Sequence, residues 1–345
     1  MLLTVTAGSP VPTGRLSYEL FWVHHQPFFL SCGYNLRPRY HPTWVPSRGT
    51  KNHETEDALL IIPQNVIDAV RVQDNLKVVI KRVSTATSEI AIGTHLSSAA
   101  MSSDSRNHTV PLLETLYLPD DESLAFIVMP MLLGFDKLPF RRFGEFAEAV
   151  QQFLQGLEFM HEHNIVHRDA CFYNLMMDTS KAMPRGFHFA RWRSHDGLKY
   201  GLHWHDRWSV RPVKYYFIDF GLSHQYPRGR KNILDGGIFG QDRTVPEMSI
   251  TVPYDPFKAD VYQLGNVFLK AISEYEGLEG FSALATTMIC NDPQERPTAS
   301  ETLTMFEGLI SSLQPDDLKR RVWPKKLLPR ERFEVKYLGS KTLFH

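Results

Sequence analysis

The feature that most restricts how this chain can fold is a long helical pattern that runs straight into a string of polar residues. From Phe143 to Glu162, the residues Phe146, Val150, Phe153, Leu154, Leu157 and Met160 recur at spacings of three and four, so one stripe of the helix must face a core. IVHRDACFYNLMMD (165–178) follows directly, and YYFIDFGLS (215–223) places Asp219 50 residues beyond Asp169. Helical patterns return at Asp260–Glu274, Phe281–Ile289 and Thr298–Leu313. This half of the chain is predicted to be a helical body.

Upstream the period changes from three and four to two. VIDAVRVQDNLKVVIKRV, from Val66, alternates apolar and polar residues around a turn at Gln73-Asp74-Asn75, which predicts a β-hairpin whose second strand carries Lys81. Ser84 to Ala100 predicts a short helix carrying Glu89, and Leu124 to Leu133 a buried strand interrupted at Pro130. The expected fold class is therefore α+β, with a small β-rich lobe over 58–133 and a larger helical lobe over 134–313. Residues 1–57 read as an N-terminal extension. Its aromatic segment YELFWVHHQPFFL (18–30) is expected to form a helix that ends before Pro27 or kinks there, with Phe21, Trp22, Phe28 and Phe29 packed on a neighbouring domain. Residues 314–345 read as a basic C-terminal tail.

Composition narrows the function classes. The 38 Lys and Arg balance 38 Asp and Glu, so no global charge attracts nucleic acid, which is not expected as a partner. Cys32, Cys171 and Cys290 are too few and too scattered for a disulfide framework or a paired-cysteine metal site. The longest uncharged apolar stretch, Ser123 to Phe135, holds 13 residues, so no membrane span is expected. The opening MLLTVTAGSP has no basic segment before its short apolar run, which argues against a cleaved secretory signal. An intracellular protein, cytoplasmic or nuclear, is expected.

Taken in order, VVIK (78–81), IVHRDACFYNLMMD, YYFIDFGLS, VPEM (245–248), DVYQLG (260–265) and NDPQERPT (291–298) resemble the signature set of the eukaryotic protein kinase superfamily, over roughly residues 58–313. More narrowly, LRPRYHPTWVPS and YYFIDFGLS look like fungal, mushroom-type kinase-like proteins. The resemblance implies a bilobal protein-kinase-like fold. It also implies a Mg-ATP-dependent protein kinase that transfers the γ-phosphoryl group to a Ser or Thr hydroxyl of an unidentified protein substrate. ATP and Mg²⁺ are the implied cofactors. The transition state of such a transfer spreads charge over phosphate oxygens, so the site needs cations, carboxylates and positioning groups rather than a covalent nucleophile.

The roles carried over are these. Asp169 would accept the proton of the acceptor hydroxyl, and Lys81, held by Glu89, would contact the α- and β-phosphates. Asn174 and Asp219 would hold Mg²⁺, while Arg168 and His167 would support the catalytic loop. Met129 would sit at the gatekeeper position, Pro130 would offer its carbonyl to the adenine amino group, and Leu132 its N–H. Glu247 and Arg296 resemble a buried ion pair bracing the helical lobe, and Asp260 the helix residue that anchors the catalytic loop.

The sequence also departs from that pattern. No glycine occurs between Gly49 and Gly93, so the glycine loop expected before Lys81 is missing, and Cys171 stands where kinases carry Lys, Ala or Arg. An insert over about 181–214 holds eight Lys and Arg, two Asp, three Trp and four His; it reads as a solvated loop partly packed on the helical lobe, with a docking partner as the alternative. Between Leu222 and Pro246 few hydroxyl residues occur, so Asp235 or Asp242 is expected to take the place of a phosphate beside Arg168. Two other readings stay open: a pseudokinase serving as a binding or scaffold module, and a small-molecule phosphotransferase. The second class typically lacks the Glu–Arg pair and the glycine matched here by Gly221.

Overall fold

The alternation of apolar residues along the upstream half does form a sheet in the computed structural model, which describes residues 14–47, 55–226, 233–328 and 332. Helix α1 (Glu19–Ser31) precedes strands β1 (Tyr34–Leu36), β2 (Val66–Arg71) and β3 (Lys77–Ser84). Helices α2 (Glu89–Leu96) and α3 (Ala99–Ser102) follow, then β4 (Glu114–Tyr117) and β5 (Leu124–Pro130). The five strands pair antiparallel in the order β1-β2-β3-β5-β4. Asn75 takes the left-handed conformation, at φ 58°, that the tight turn between β2 and β3 requires.

Because successive side chains of a strand point to opposite faces, β3 and β5 each serve two cores. Val78 and Ile80, with Phe126 and Val128, pack under α1. Val83, Ala125 and Ile127 cover the opposite face beside Ile90 of α2. Lys81 has the same parity as Val83 and so emerges on the α2 side.

The aromatic segment is part of the first core. Trp22 and Phe29 are buried, with ring centroids 6.0 and 4.7 Å from that of Phe126. Contrary to the expectation at Pro27, α1 continues through it to Ser31. Proline removes one helical hydrogen bond, and the aromatic contacts on either side of it, from Trp22 and Phe29 to one ring, outweigh that loss. Tyr34–Leu36, within the stretch read as an extension, adds β1 to the sheet edge.

Downstream, β6 (Leu133–Gly134) leads into α4 (Phe143–Glu162), whose predicted stripe is fully buried. Short strands β7 (Ile165–Val166), β8 (Leu175–Met177), β9 (Tyr215–Phe217) and β10 (His224–Gln225) flank the two aspartate strings, with β6, β8 and β9 in one sheet and β7 paired to β10. A two-stranded unit, β11 (Asp235–Gly237) with β12 (Ser249–Tyr254), precedes α5 (Pro256–Glu274), α6 (Ser282–Met288) and α7 (Ala299–Ser311). Asp255 caps α5 by accepting from the N–H groups of Phe257 and Lys258, and Pro256 fits its first turn.

The insert is more firmly packed than a solvated loop. Arg207 is wholly buried, donating to the carbonyls of Phe135 and Leu138 at 2.7 and 2.6 Å with its guanidinium 4.0 Å from the Phe140 ring centre. Trp204 is buried under the Arg141 guanidinium, and Phe187 and Leu202 join the main core. These inward aromatics are withdrawn from any stacking partner. The opening decapeptide, and residues 329–331 and 333–345 of the basic tail, lie outside the described residues.

Candidate active site

Two loops and one sheet face converge on a cavity of about 400 Å³. The sheet contributes Val79, Lys81 and Met129, whose shared parity turns them to one side, and the loop after β9 contributes Asp219. Lys81 donates from Nζ to Glu89 and, at 2.8 Å, to Asp219 Oδ1. The separation of eight positions from Lys81 to Glu89 is enough because α2 begins directly at Glu89 and turns its first side chain back toward β3.

Burial works against all three charges, and mutual contact decides the outcome. The Lys81 ammonium is disfavoured by burial, but Glu89 and Asp219 raise it above its ordinary value. Burial raises the Glu89 carboxyl, only partly offset by Lys81. For Asp219 burial is overridden by Lys81, which holds the carboxyl below its ordinary value. Asp219 is half-exposed, the face an incoming ligand would meet. It sits at φ 67°, ψ 76°, a conformation that costs a non-glycine residue energy and aims its carboxylate at the cavity.

The second aspartate, Asp169, adjoins the cavity through Gln241, which lines it and donates its N–H to Asp169 Oδ1. Asn174 donates from Nδ2 to Asp169 Oδ2 at 3.0 Å and to the Asp169 carbonyl at 2.9 Å, leaving its own amide oxygen for another ligand. Asp260, wholly buried, accepts from the N–H groups of His167 and Arg168, both at 2.7 Å, and pairs with His161 Nε2 at 3.0 Å. It thereby fixes the loop in which Arg168 is held at φ 63°. Glu247 and Arg296 form a two-pronged pair, with Arg296 also donating to the carbonyls of Cys290 and Lys258. Arg168 pairs with Asp235, and Tyr226 donates to the same carboxylate at 2.7 Å.

Pro130 and Leu132 line the cavity, and among the described residues the Leu132 N–H has no acceptor. No short turn joins β1 to β2: residues 37–65 make the connection, and Pro63, Asn65 and Val66 wall the cavity instead. Arg37 ties this connection down, donating to Asp68 and Glu56 at 3.0 Å each. Cys171 is buried, and burial with the neighbouring Asp169 pushes its thiol up to about 12, which disfavours the thiolate.

Sequence reasoning missed three contributors. Gln263 accepts from the Ala170 N–H at 3.0 Å; its place one helical turn after Asp260 is a signal that could have found it. Phe189 reaches from the insert into the cavity wall, and Gln241 donates its backbone N–H to Asp169 Oδ1 at 2.9 Å. Neither has a sequence signal.

Among the described residues no group of three or more His, Cys, Asp or Glu could hold a metal ion. The Asp219 carboxylate and the Asn174 amide oxygen are the two groups that could each supply an oxygen ligand to an ion taking the rest of its shell from water and phosphate, as Mg²⁺ does. Compared with family models and with curated proteins, the chain matches none.

Proposed function

We propose that the chain is a Mg-ATP-dependent protein kinase, with the sheet and the helical body as its two lobes and the cavity between them as the nucleotide site. The observation that carries this reading is that Lys81 bridges Glu89 and Asp219 at the cavity, while Asp169, held by Asn174, adjoins the same cavity through Gln241. In the transfer, the acceptor oxygen bonds to the γ-phosphorus, the bond to the β,γ-bridging oxygen breaks, and the acceptor proton passes to the Asp169 carboxylate. Lys81 binds phosphate oxygens and is kept charged by its two carboxylates. Asp219 and Asn174 would hold Mg²⁺, which when bound supplies charge neutralisation at the phosphates. Pro130 and Leu132 offer a carbonyl and an N–H to a purine edge.

A second reading, a kinase-shaped binding module without transfer, is favoured by the Gln241 contact on Asp169 and by the connection 37–65 in place of a glycine loop. Thermal unfolding with Mg-ATP, with ATP plus chelator and without ligand tests the first step. Nucleotide at 100 times its dissociation constant adds about 2.7 kcal/mol, a rise of several degrees in the midpoint. The reading expects a Mg-dependent rise that Asp219→Asn abolishes, together with phosphoryl transfer that Asp169→Asn abolishes. A rise without transfer would favour the binding module, and no rise would exclude nucleotide from the site.

A further inference from the structure

A second cavity, of about 360 Å³, adjoins the first through Gln241, which lines both. It is lined by Cys171, Phe172 and Tyr173, directly following the Asp169 loop, and by α5 through Asn266 and Lys270. The cavity lies against the Asp169 loop: Gln241, which lines it, donates its N–H to Asp169 Oδ1 at 2.9 Å, and Cys171, which also lines it, is two residues from Asp169.

Its charges are not equivalent. Asp242 is already engaged: Oδ1 accepts from the Thr244 N–H and hydroxyl at 3.0 and 2.7 Å, and Oδ2 from Asn266 at 2.7 Å. Lys270 is exposed, with its ammonium 3.9 Å from the Phe172 ring centre. Among the described residues no carboxylate lies within ion-pair distance of it. A ring contact of that kind holds a cation in place without neutralising it. Lys270 therefore presents an ammonium that no carboxylate pairs with among the described residues, in a cavity whose other charged side chain, Asp242, has both oxygens occupied by neutral donors.

We propose that this cavity seats the acceptor segment and that Lys270 selects acceptors carrying a carboxylate side chain next to the hydroxyl residue. The proposal rests on the phosphotransfer reading above. An exposed ion pair is worth at most about fivefold in affinity, and salt screens it.

The test is anisotropy of two fluorescein-labelled serine peptides, one with glutamates and one with lysines flanking the serine, against the full chain at low salt and without nucleotide. The glutamate peptide is expected to bind about fivefold more tightly. The difference should vanish in 0.5 M NaCl and in Lys270→Ala, and reverse in Lys270→Glu, with unfolding midpoints reporting that both variants are folded. Equal binding of the two peptides, binding of neither, or a preference that survives both substitutions would overturn the proposal. Because peptide binding is read without nucleotide, absence of the Mg-ATP shift would count against the phosphotransfer reading separately.

Discussion

The Gln241 backbone N–H reaches Asp169 Oδ1 at 2.9 Å because the residue before it is a glycine. Gly240 sits at φ 77°, and a Cβ there would lie 2.6 Å from Asp169 Oδ1 and 2.7 Å from the Arg168 carbonyl oxygen. Neither atom can move aside cheaply, since Asp260 and Asn174 fix the loop that carries them. Gly240→Ala is therefore expected to destabilise the fold by about 1–3 kcal/mol, from the left-handed backbone and the forced displacement together. Urea unfolding checks this, and an unchanged midpoint would mean that the segment does not rest on Asp169.

Arg168 links that loop to β11 by its pair with Asp235, and the pair is largely shielded, with the two side chains 15% and 19% exposed. The guanidinium also lies 4.6 Å from the Phe239 ring centre, and its Nε is buried without a partner. Removing the carboxylate strands a buried cation, which costs more than the pair contributes. Asp235→Ala is expected to open the segment locally, so that tryptic cleavage at the exposed Arg243 speeds up roughly tenfold or more. If Asp235 stands in for a phosphate, exhaustive phosphatase treatment leaves the wild-type cleavage rate unchanged. A rate that rises on dephosphorylation would refute that substitution.

What the sequence made legible follows the range of the forces involved. The stripe of α4 and the alternation along β3 were readable because helix and strand periods are local, and the same parity placed Lys81 on the face where Glu89 meets it. Asp169, Asn174 and Asp219 could be picked out because their strings, taken in order, resemble the protein-kinase signature set. Contacts closed by tertiary packing left no such trace. Gln241 meets Asp169 across 72 residues through a backbone atom, which any residue type supplies. The burial of Arg207 depends on two carbonyls about 70 residues upstream. The path of α1 through Pro27 was misread because the local rule for proline was weighed without the Phe126 ring that Trp22 and Phe29 flank.

The Glu247–Arg296 pair braces the helical body at a point where Arg296 has no exposed side-chain surface and Glu247 is 10% exposed. Glu247→Ala would leave a guanidinium in the interior with no carboxylate, only carbonyl partners and the Tyr262 ring, at a cost of about 3–5 kcal/mol. Glu247→Gln keeps a hydrogen-bond acceptor and should cost less. Chemical denaturation of the two variants distinguishes a charge requirement from a packing requirement: equal losses would indicate that the carboxylate charge alone matters, and a loss confined to Glu247→Ala would indicate packing and hydrogen bonding.

Acid sensitivity should appear above the ordinary carboxylate range, through histidine. Burial lowers the His108 imidazole below its ordinary value of 6.5, against the Gln155 contact that favours protonation. His224 is lowered too, by burial and by the nearby Arg168 guanidinium. In both cases the unfolded chain takes up a proton at a pH where the folded chain does not. Stability is thus fully present above about 6.5, and it is lost progressively as pH falls from there toward the folded value. The unfolding midpoint is expected to drop between pH 7.5 and 5.5, and His108→Gln, which preserves a polar group beside Gln155, should drop less over the same interval. An identical pH slope in the variant would show that His108 is protonated as easily in the folded protein as in the unfolded chain.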